Sequence, residues 1–481
     1  MKLKYSAYLL FVTVFLFYSC ITQKKKENSK PNIIYILADD LGYGDLSCYG
    51  QKLFSTPNID KMASEGMLFT QHYAGATVCA PSRSSLMTGQ TTGHTPVRGN
   101  KAAKPEGQWP IPDSTFTIAE MLKKEGYVTG AFGKWGLGYP GSKGDPNMQG
   151  FDEFYGYNCQ RKAHNYYPAY LWHNQNKVIL NENNGDKLIK YAPELIHHEA
   201  LQFIEQNRNK PFFMYYPNII PHAELLPPET LIKKFRGKFL PEKSFDGTEP
   251  DEKGFRDGSY GTQPEGHAAF AAMVTLLDKQ VGDIFTKLKE LGIDDNTLVI
   301  FSSDNGPHLE AGADPDYFDS NGPLRGYKRD LYEGGIREPM IAWYPGKIKA
   351  GTTSDHVSAF WDVMPTIAEL VEIETPKNID GISFLPTLLG QKEQQQHDFL
   401  YWEFHERGGT QAVRKGDWKA VLFVENGQFE LYNLSNDKEE RNNVAKDFPE
   451  VVGELKRLMR EARISSKTFP FLSEEILNED K

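Results

Sequence analysis

The run from Ala76 to Gly89 contains Cys79-Ala80-Pro81-Ser82-Arg83, followed by Ser85 and Gly89. Proline suits the first turn of a helix and glycine its end, so the spacing predicts a short helix that begins beside Cys79. Free N–H groups and the positive dipole end favour an anion there, and Arg83 adds a forked donor one turn on. The same surroundings depress a thiol pKa, which predicts a reactive thiolate at Cys79. Four further polar groups each follow an apolar run: Asp39-Asp40 after Asn32 to Ala38, Lys134 after Tyr127 to Phe132, His222 after Phe212 to Tyr216, and Asp304-Asn305 after Thr297 to Ser302. Any one of them alone is an ordinary turn acid or helix cap. Together, Asp39, Asp40, Asp304 and Asn305 offer only hard oxygen ligands, which select Ca²⁺ or Mg²⁺ over Zn²⁺.

The elements that must position these groups are strands alternating with helices. Ala268 to Leu291 carries Phe270, Met273, Val274, Leu277, Val281, Phe285 and Leu288 at helical spacing and feeds the strand that ends before Asp304. This alternation predicts an α/β fold, a mixed and mostly parallel sheet covered on both faces by helices, with ligands beyond the carboxyl ends of the strands. Beyond the Gln-rich stretch Gln391 to His397 the pattern changes. Tyr401 to Glu403, Gln411 to Arg414, Trp418 to Val424 and Phe429 to Leu434 read as short strands, with Asn426-Gly427 as a hairpin turn and Val451 to Arg463 as a surface helix. The expected organisation is a large unit over residues 31–392 and a smaller α+β unit with an antiparallel sheet over 393–481.

The chain has 481 residues, 54 basic and 64 acidic, a net charge of −10. This balance argues against nucleic acid as a partner and requires any anionic substrate to be captured by a local positive site. Residues 1–19 read as a signal peptide: Lys2 and Lys4 precede an apolar run from Ala7 to Tyr18 that is too short to span a bilayer. Ser19-Cys20 then resembles a bacterial lipobox, which makes Cys20 the expected lipidation site and residues 20–30, with Lys24 to Lys26, a solvated tether facing the periplasm. Without Lys2 and Lys4 the balance is 52 basic against 64 acidic residues, or −12. Four cysteines, Cys20, Cys48, Cys79 and Cys159, are too few for a disulfide scaffold.

The segment C-x-P-S-R followed by S-x-x-x-G resembles the signature of the formylglycine-dependent (type I) sulfatases, whose cysteine is oxidised to an aldehyde by a maturation enzyme. A tyrosine-phosphatase-like thiolate loop fails on spacing, because it needs cysteine and arginine about six positions apart and Cys79 and Arg83 are four apart. The resemblance runs from Pro31 to about Val444. It takes in Asp39-Asp40-Leu41-Gly42, Gly133-Lys134-Trp135, Pro221-His222, Asp304-Asn305-Gly306, Arg325-Gly326-x-Lys328 and Glu333-Gly334-Gly335-x-Arg337-x-Pro339. It implies an alkaline-phosphatase-like large domain, a Ca²⁺ ion held by Asp39, Asp40, Asp304, Asn305 and modified Cys79, and a hydrated aldehyde. One hydroxyl of that hydrate attacks sulfur in line; the other then expels sulfate.

The same resemblance implies that Arg83 orients the modified residue, that Lys134 and Lys328 bind sulfate oxygens, and that His222 lies near the leaving oxygen. This chain departs from the family where many members have a histidine two positions after the lysine, since Gly136 stands there. His308 is the nearest replacement on the rim, and either His308 or His222 is expected to protonate the leaving oxygen. Arg161 and His164, in a loop rich in hydrogen-bonding and aromatic groups, are expected to touch substrate, with His405 and Glu406 as weaker contacts. The implied substrate is a sulfated oligo- or polysaccharide, either algal (ulvan or galactan) or a host glycan. Two alternatives are a phosphomonoesterase or phosphonate hydrolase on the same scaffold, and a non-catalytic lipoprotein that binds sulfated glycans.

Overall fold

The computed structural model describes residues 30–471, so Cys20, the signal segment and most of the tether lie outside the described residues. The main sheet has eleven strands. In chain order these are β1 (Asn32–Asp39), β2 (Met67–Tyr73), β3 (Val128–Lys134), β4 (Glu153–Tyr157), β5 (Tyr170–His173), β6 (Asn176–Ile179), β7 (Phe212–Pro221), β8 (Thr297–Ser303), β9 (Arg337–Trp343), β10 (Thr352–Ser354) and β11 (Ser358–Ala359). Their spatial order is β10-β2-β9-β8-β1-β7-β3-β4-β5-β6, with β11 also paired to β2. The central five, β8-β1-β7-β3-β4, run parallel; β9 and β5 run against them, and β6, antiparallel to β5, returns to their direction. The expected mixed, mostly parallel sheet is therefore the observed one.

The apolar run of β1 shows why both faces are covered. Ile34 and Ile36 point to one core with α1 (Pro57–Glu65), α4 (Ala192–Gln206) and α5 (Gly266–Leu291); Ile33, Tyr35 and Leu37 point to the other, with α2 (Cys79–Thr88), α3 (Ile118–Lys124) and α6 (Val363–Leu370). Helix α3 begins with a complete capping box between Thr117 and Glu120. Seven sheet members, β2, β4, β5, β6, β9, β10 and β11, were not evident as strands in sequence. β9 includes Glu338-Pro339, and its proline is tolerated because β2 shifts register between Phe69 and His72, opposite that position.

A second sheet, β12 (Leu400–Phe404), β13 (Thr410–Lys415), β14 (Trp418–Phe423) and β15 (Gln428–Asn433), is wholly antiparallel. Side chains alternate along it. Trp402, Ala412 and Val421 face Tyr73 and Trp361 of the main body, while Tyr401, Val413, Ala420 and Leu422 face α7 (Pro449–Glu461). Residues 391–397, where the boundary was expected, are irregular and lead into β12.

Lys419 pins this sheet to the main body. Its ammonium is fully buried, 2.8 Å from Glu333 and 3.1 Å from Glu440. Removing a partner from a buried ion pair strands the remaining charges, so Lys419→Ala is expected to cost about 3–5 kcal/mol of stability. Thermal unfolding of the variant checks this value.

Candidate active site

Four strand ends converge. Asp39 closes β1, Lys134 closes β3, His222 follows β7, and Asp304 and Asn305 follow β8. Asp40 lies at φ 64°, in the left-handed region, and its N–H donates to Asp304 Oδ1 at 3.1 Å, which ties the two acidic turns together. Helix α2 brings Cys79 as its first residue and ends at Gly89, φ 68°, as the spacing predicted. Its own N-cap, Val78, supplies no side-chain bond; instead Asn100 Oδ1 accepts from the Ala80 N–H at 3.1 Å.

Arg83 is fully buried and acts as a brace. Its Nε and Nη2 donate to Asp304 Oδ2 at 3.0 and 2.7 Å, Nη1 donates to the Lys134 carbonyl, and Nη2 lies 3.4 Å from Asp39 Oδ1. Lys134 Nζ donates to both Asp39 oxygens, at 3.0 and 2.7 Å, and lies 3.4 Å from Cys79 Sγ. The sulfur is 3.6 Å from Asp39 Oδ1 and 3.9 Å from Asp40 Oδ1. Across the site, Lys328 Nζ donates to Asp40 Oδ2 at 2.7 Å and to His222 Nε2 at 3.2 Å. His222 Nδ1 donates to the Ala223 carbonyl, which leaves Nε2 as the acceptor facing Lys328.

These contacts set the electrostatics. Burial opposes charge on both lysines, but Asp39 beside Lys134 and Asp40 beside Lys328 raise their pKa values and keep them cationic. Burial likewise opposes charge on Asp40, and Lys328 with His222 outweighs it, so that carboxyl is held well below its usual range. Asp304 is pushed upward by burial and by Asp39, with Arg83 only partly offsetting them. Cys79 corrects the expectation of a low-pKa thiolate. Burial raises the thiol pKa strongly, and this outweighs the pull of Lys134 and Lys328. As a thiol, residue 79 is therefore a poor nucleophile here.

The donor set fits a hard divalent cation. Ligand atoms of Asp39, Asp40, Cys79 and His222 lie within 4.8 Å of one another. Asn305 Nδ2 donates to Asp40 Oδ1 at 2.7 Å, while Asn305 Oδ1 is buried without a hydrogen-bond partner. A buried acceptor of that kind needs a ligand, and oxygen from Asn305 with three carboxylates suits calcium.

A cleft of about 370 Å³ opens over Cys79, lined by Gln160, Arg161, His164, His222, Lys328 and Glu406 among others. Arg161 and His164 therefore face the space expected for substrate. His164 stacks on His222 at 5.0 Å and packs against Tyr260. Two expectations are corrected. His308 sits behind His222, stacked at 5.7 Å, with Nε2 bonded to the Pro221 carbonyl at 3.1 Å and Nδ1 paired to Glu310 at 3.3 Å. Both ring nitrogens are engaged, so His308 supports His222 rather than the cleft. His405 bonds Glu403 at 2.8 Å and packs edge-on against Phe471, and its neighbour Glu406 is the residue that reaches the cleft.

Sequence reasoning missed Asn100, Tyr260, Arg329 and, most importantly, Gln160. Gln160 lay inside the loop already recognised as dense in polar groups, but its neutral side chain drew less notice than Arg161 beside it.

Comparison with known proteins agrees with this geometry. A family model described as Sulfatase matches residues 31–373, and one described as N-sulphoglucosamine sulphohydrolase, C-terminal, matches residues 326–465. The chain is 34% identical to N-acetylgalactosamine-6-sulfatase of Mus musculus, over 85% of this chain and 75% of that protein. It is 30% identical to N-acetylgalactosamine-6-O-sulfatase of Bacteroides thetaiotaomicron, over 92% of this chain and 96% of that protein. Among solved structures it resembles Ps i-CgsB in complex with k-i-k-neocarrahexaose, with a TM-score of 0.74, 30% identity, and coverage of 90% of this chain and 92% of that one.

Proposed function

The chain belongs to the sulfatase family of sulfuric ester hydrolases, and we propose that it removes sulfate from sulfated carbohydrate through a formylglycine made from Cys79 and a bound Ca²⁺. The observation that carries this reading is the placement of Cys79. It starts a buried helix between two lysines and two carboxylates, yet burial makes its thiol a weak nucleophile. Oxidation to an aldehyde resolves that conflict, because a hydrated aldehyde supplies one hydroxyl to take the sulfuryl group and a second to expel it.

Asp39, Asp40, Asp304 and Asn305 would hold the calcium ion, which supplies charge neutralisation at a sulfate oxygen. The protein's own groups do the rest. Arg83, Lys134 and Lys328 balance three carboxylates, so a divalent ion makes the inner site net positive and draws in a sulfate ester that the acidic surface repels. Lys134 and Lys328 are placed beside Cys79 and His222 to hold sulfate oxygens. Arg83 fixes the α2 turn against Asp304 and the Lys134 carbonyl, which keeps residue 79 in line. Arg161 and His164, on the outer wall, are available to the sugar.

A zinc phosphatase would need several histidine ligands. Among the described residues, the acidic cluster offers only His222.

Residues 1–20 support export and lipid attachment through Cys20, which would hold the enzyme at a membrane facing a polysaccharide supply. Labelling with radioactive palmitate, compared between the wild type and Cys20→Ala, checks this; equal labelling would refute it.

Release of sulfate from a panel of defined sugar sulfates tests the substrate class. On the best of them, Arg161→Ala is expected to raise KM on the order of tenfold, as loss of a charged contact does. His405→Ala is expected to leave kcat/KM unchanged, because its imidazole is turned to Glu403. A panel yielding no sulfate from any sugar would refute the carbohydrate reading.

A further inference from the structure

Gly136 and Gln160 are complementary. Gly136, two residues beyond Lys134, adopts φ +79°, and a Cβ there would lie 2.3 Å from Gln160 Nε2. The backbone explains the approach. After β3 and β4 pair in parallel the two chains continue side by side, with the Trp135 N–H donating to the Tyr157 carbonyl at 2.9 Å and the Gly136 N–H to that of Asn158 at 3.2 Å. The missing side chain at position 136 is what admits the carboxamide of residue 160.

Gln160 is 7% exposed and lines the cleft with Cys79, His164, His222 and Lys328. Its Nε2 is buried and has no hydrogen-bond partner. Buried donors are almost always paired, so an orphan at the wall of a substrate cleft points to an acceptor that arrives with the substrate. Lys134 and Lys328 occupy the inner end of the site, and Arg161 and His164 the outer wall. Gln160 lines the same cleft as Lys328, Arg161 and His164, and its unpaired Nε2 is a donor open to the oxygen that joins sulfate to its alcohol.

We propose that Gln160 Nε2 donates a hydrogen bond to the leaving oxygen of the sulfate ester. The inference rests on the formylglycine reading above. When the S–O bond breaks, its electron pair goes to the alcohol oxygen, and a carboxamide N–H aimed there stabilises the growing negative charge. A carboxamide does not ionise, and His222, whose Nε2 accepts from Lys328, has no proton there to give; the proton that completes the alcohol therefore comes from water, and the net reaction is ester plus water to alcohol plus hydrogen sulfate. Gln160 thus takes the place of a side chain at residue 136 by holding the leaving oxygen rather than protonating it.

The benefit of such a bond grows with the charge the leaving group must carry. Purified enzyme with residue 79 modified, and its Gln160→Met and Gln160→Ala variants, would be assayed on 4-nitrophenyl, phenyl and 4-methoxyphenyl sulfate. Methionine keeps the length of the side chain and removes an unpartnered amide, so Gln160→Met is expected to fold with an unchanged or higher thermal midpoint. Both variants are expected to lose little kcat/KM on 4-nitrophenyl sulfate and progressively more toward 4-methoxyphenyl sulfate, where the loss reaches on the order of 10²-fold. A uniform loss across the series, the signature of a merely structural role, or no loss at all would overturn the assignment. A wild type inert on all three esters would be assayed on its best sugar sulfate, a poorly activated ester, where Gln160→Met is expected to lose on the order of 10²-fold in kcat/KM and an unchanged rate would overturn the assignment; inertness on sugar sulfates as well would overturn the mechanism beneath it.

Discussion

Exchange of Cys79 for alanine is expected to abolish sulfate release while the protein stays folded. The side chain is 2% exposed, and removal of one sulfur from the start of α2 leaves only a small cavity, so the stability cost is expected to be about 1 kcal/mol. The catalytic loss is of another order. Among the described residues no serine, threonine or second cysteine lines the cleft; Ser82 is tied to the Asp304 carbonyl at 2.6 Å, and Ser85 to that of Gln90. The rate should therefore fall by at least about 10³-fold, as for loss of a covalent nucleophile. Sulfate release by the variant, measured beside its thermal midpoint, checks both halves. The same loss is expected for wild-type protein produced without a maturation enzyme, because its buried thiol remains a thiol.

Removal of divalent cations has the second large effect. Asp39, Asp40 and Asp304 are all fully buried at one strand rim. Lys134, Lys328 and Arg83 pair with them, so the fold is expected to survive chelation. Treatment with a chelator is expected to abolish turnover, and Ca²⁺ to restore it. Binding to the folded state alone contributes about 2.7 kcal/mol when free Ca²⁺ exceeds its Kd a hundredfold, so the thermal midpoint rises with Ca²⁺ concentration. A midpoint indifferent to Ca²⁺ in a fully active enzyme would refute the metal assignment.

Much of this was legible in the chain because each feature had a local cause. The apolar run before Asp39 could only be a buried strand, and the structure extends it by one residue to Asp39 itself. Helix α5 follows the seven apolar positions read from its spacing and starts two residues earlier. The antiparallel sheet and its Asn426-Gly427 turn fell within a residue or two of expectation. β9 escaped notice because Pro339 argues against a strand unless a bulge opposite it is known.

The errors in the site share one physical origin: each depended on what packs behind a side chain. His308 has the right chemistry for an acid, but the Pro221 carbonyl and Glu310 take up its ring nitrogens. His405 is turned by Glu403. The Cys79 thiol pKa is set by the depth of burial, which overrides the helix terminus and two lysines. Gln160 emerged only through Gly136, because a gap in one strand extension carries meaning only when the neighbouring extension is seen to fill it.

Mass spectrometry of the peptide that contains residue 79, taken from enzyme of measured activity, bears most directly on the mechanism. Conversion of cysteine to formylglycine predicts a loss of about 18 Da, with activity proportional to the converted fraction. An unmodified thiol in fully active enzyme would contradict it.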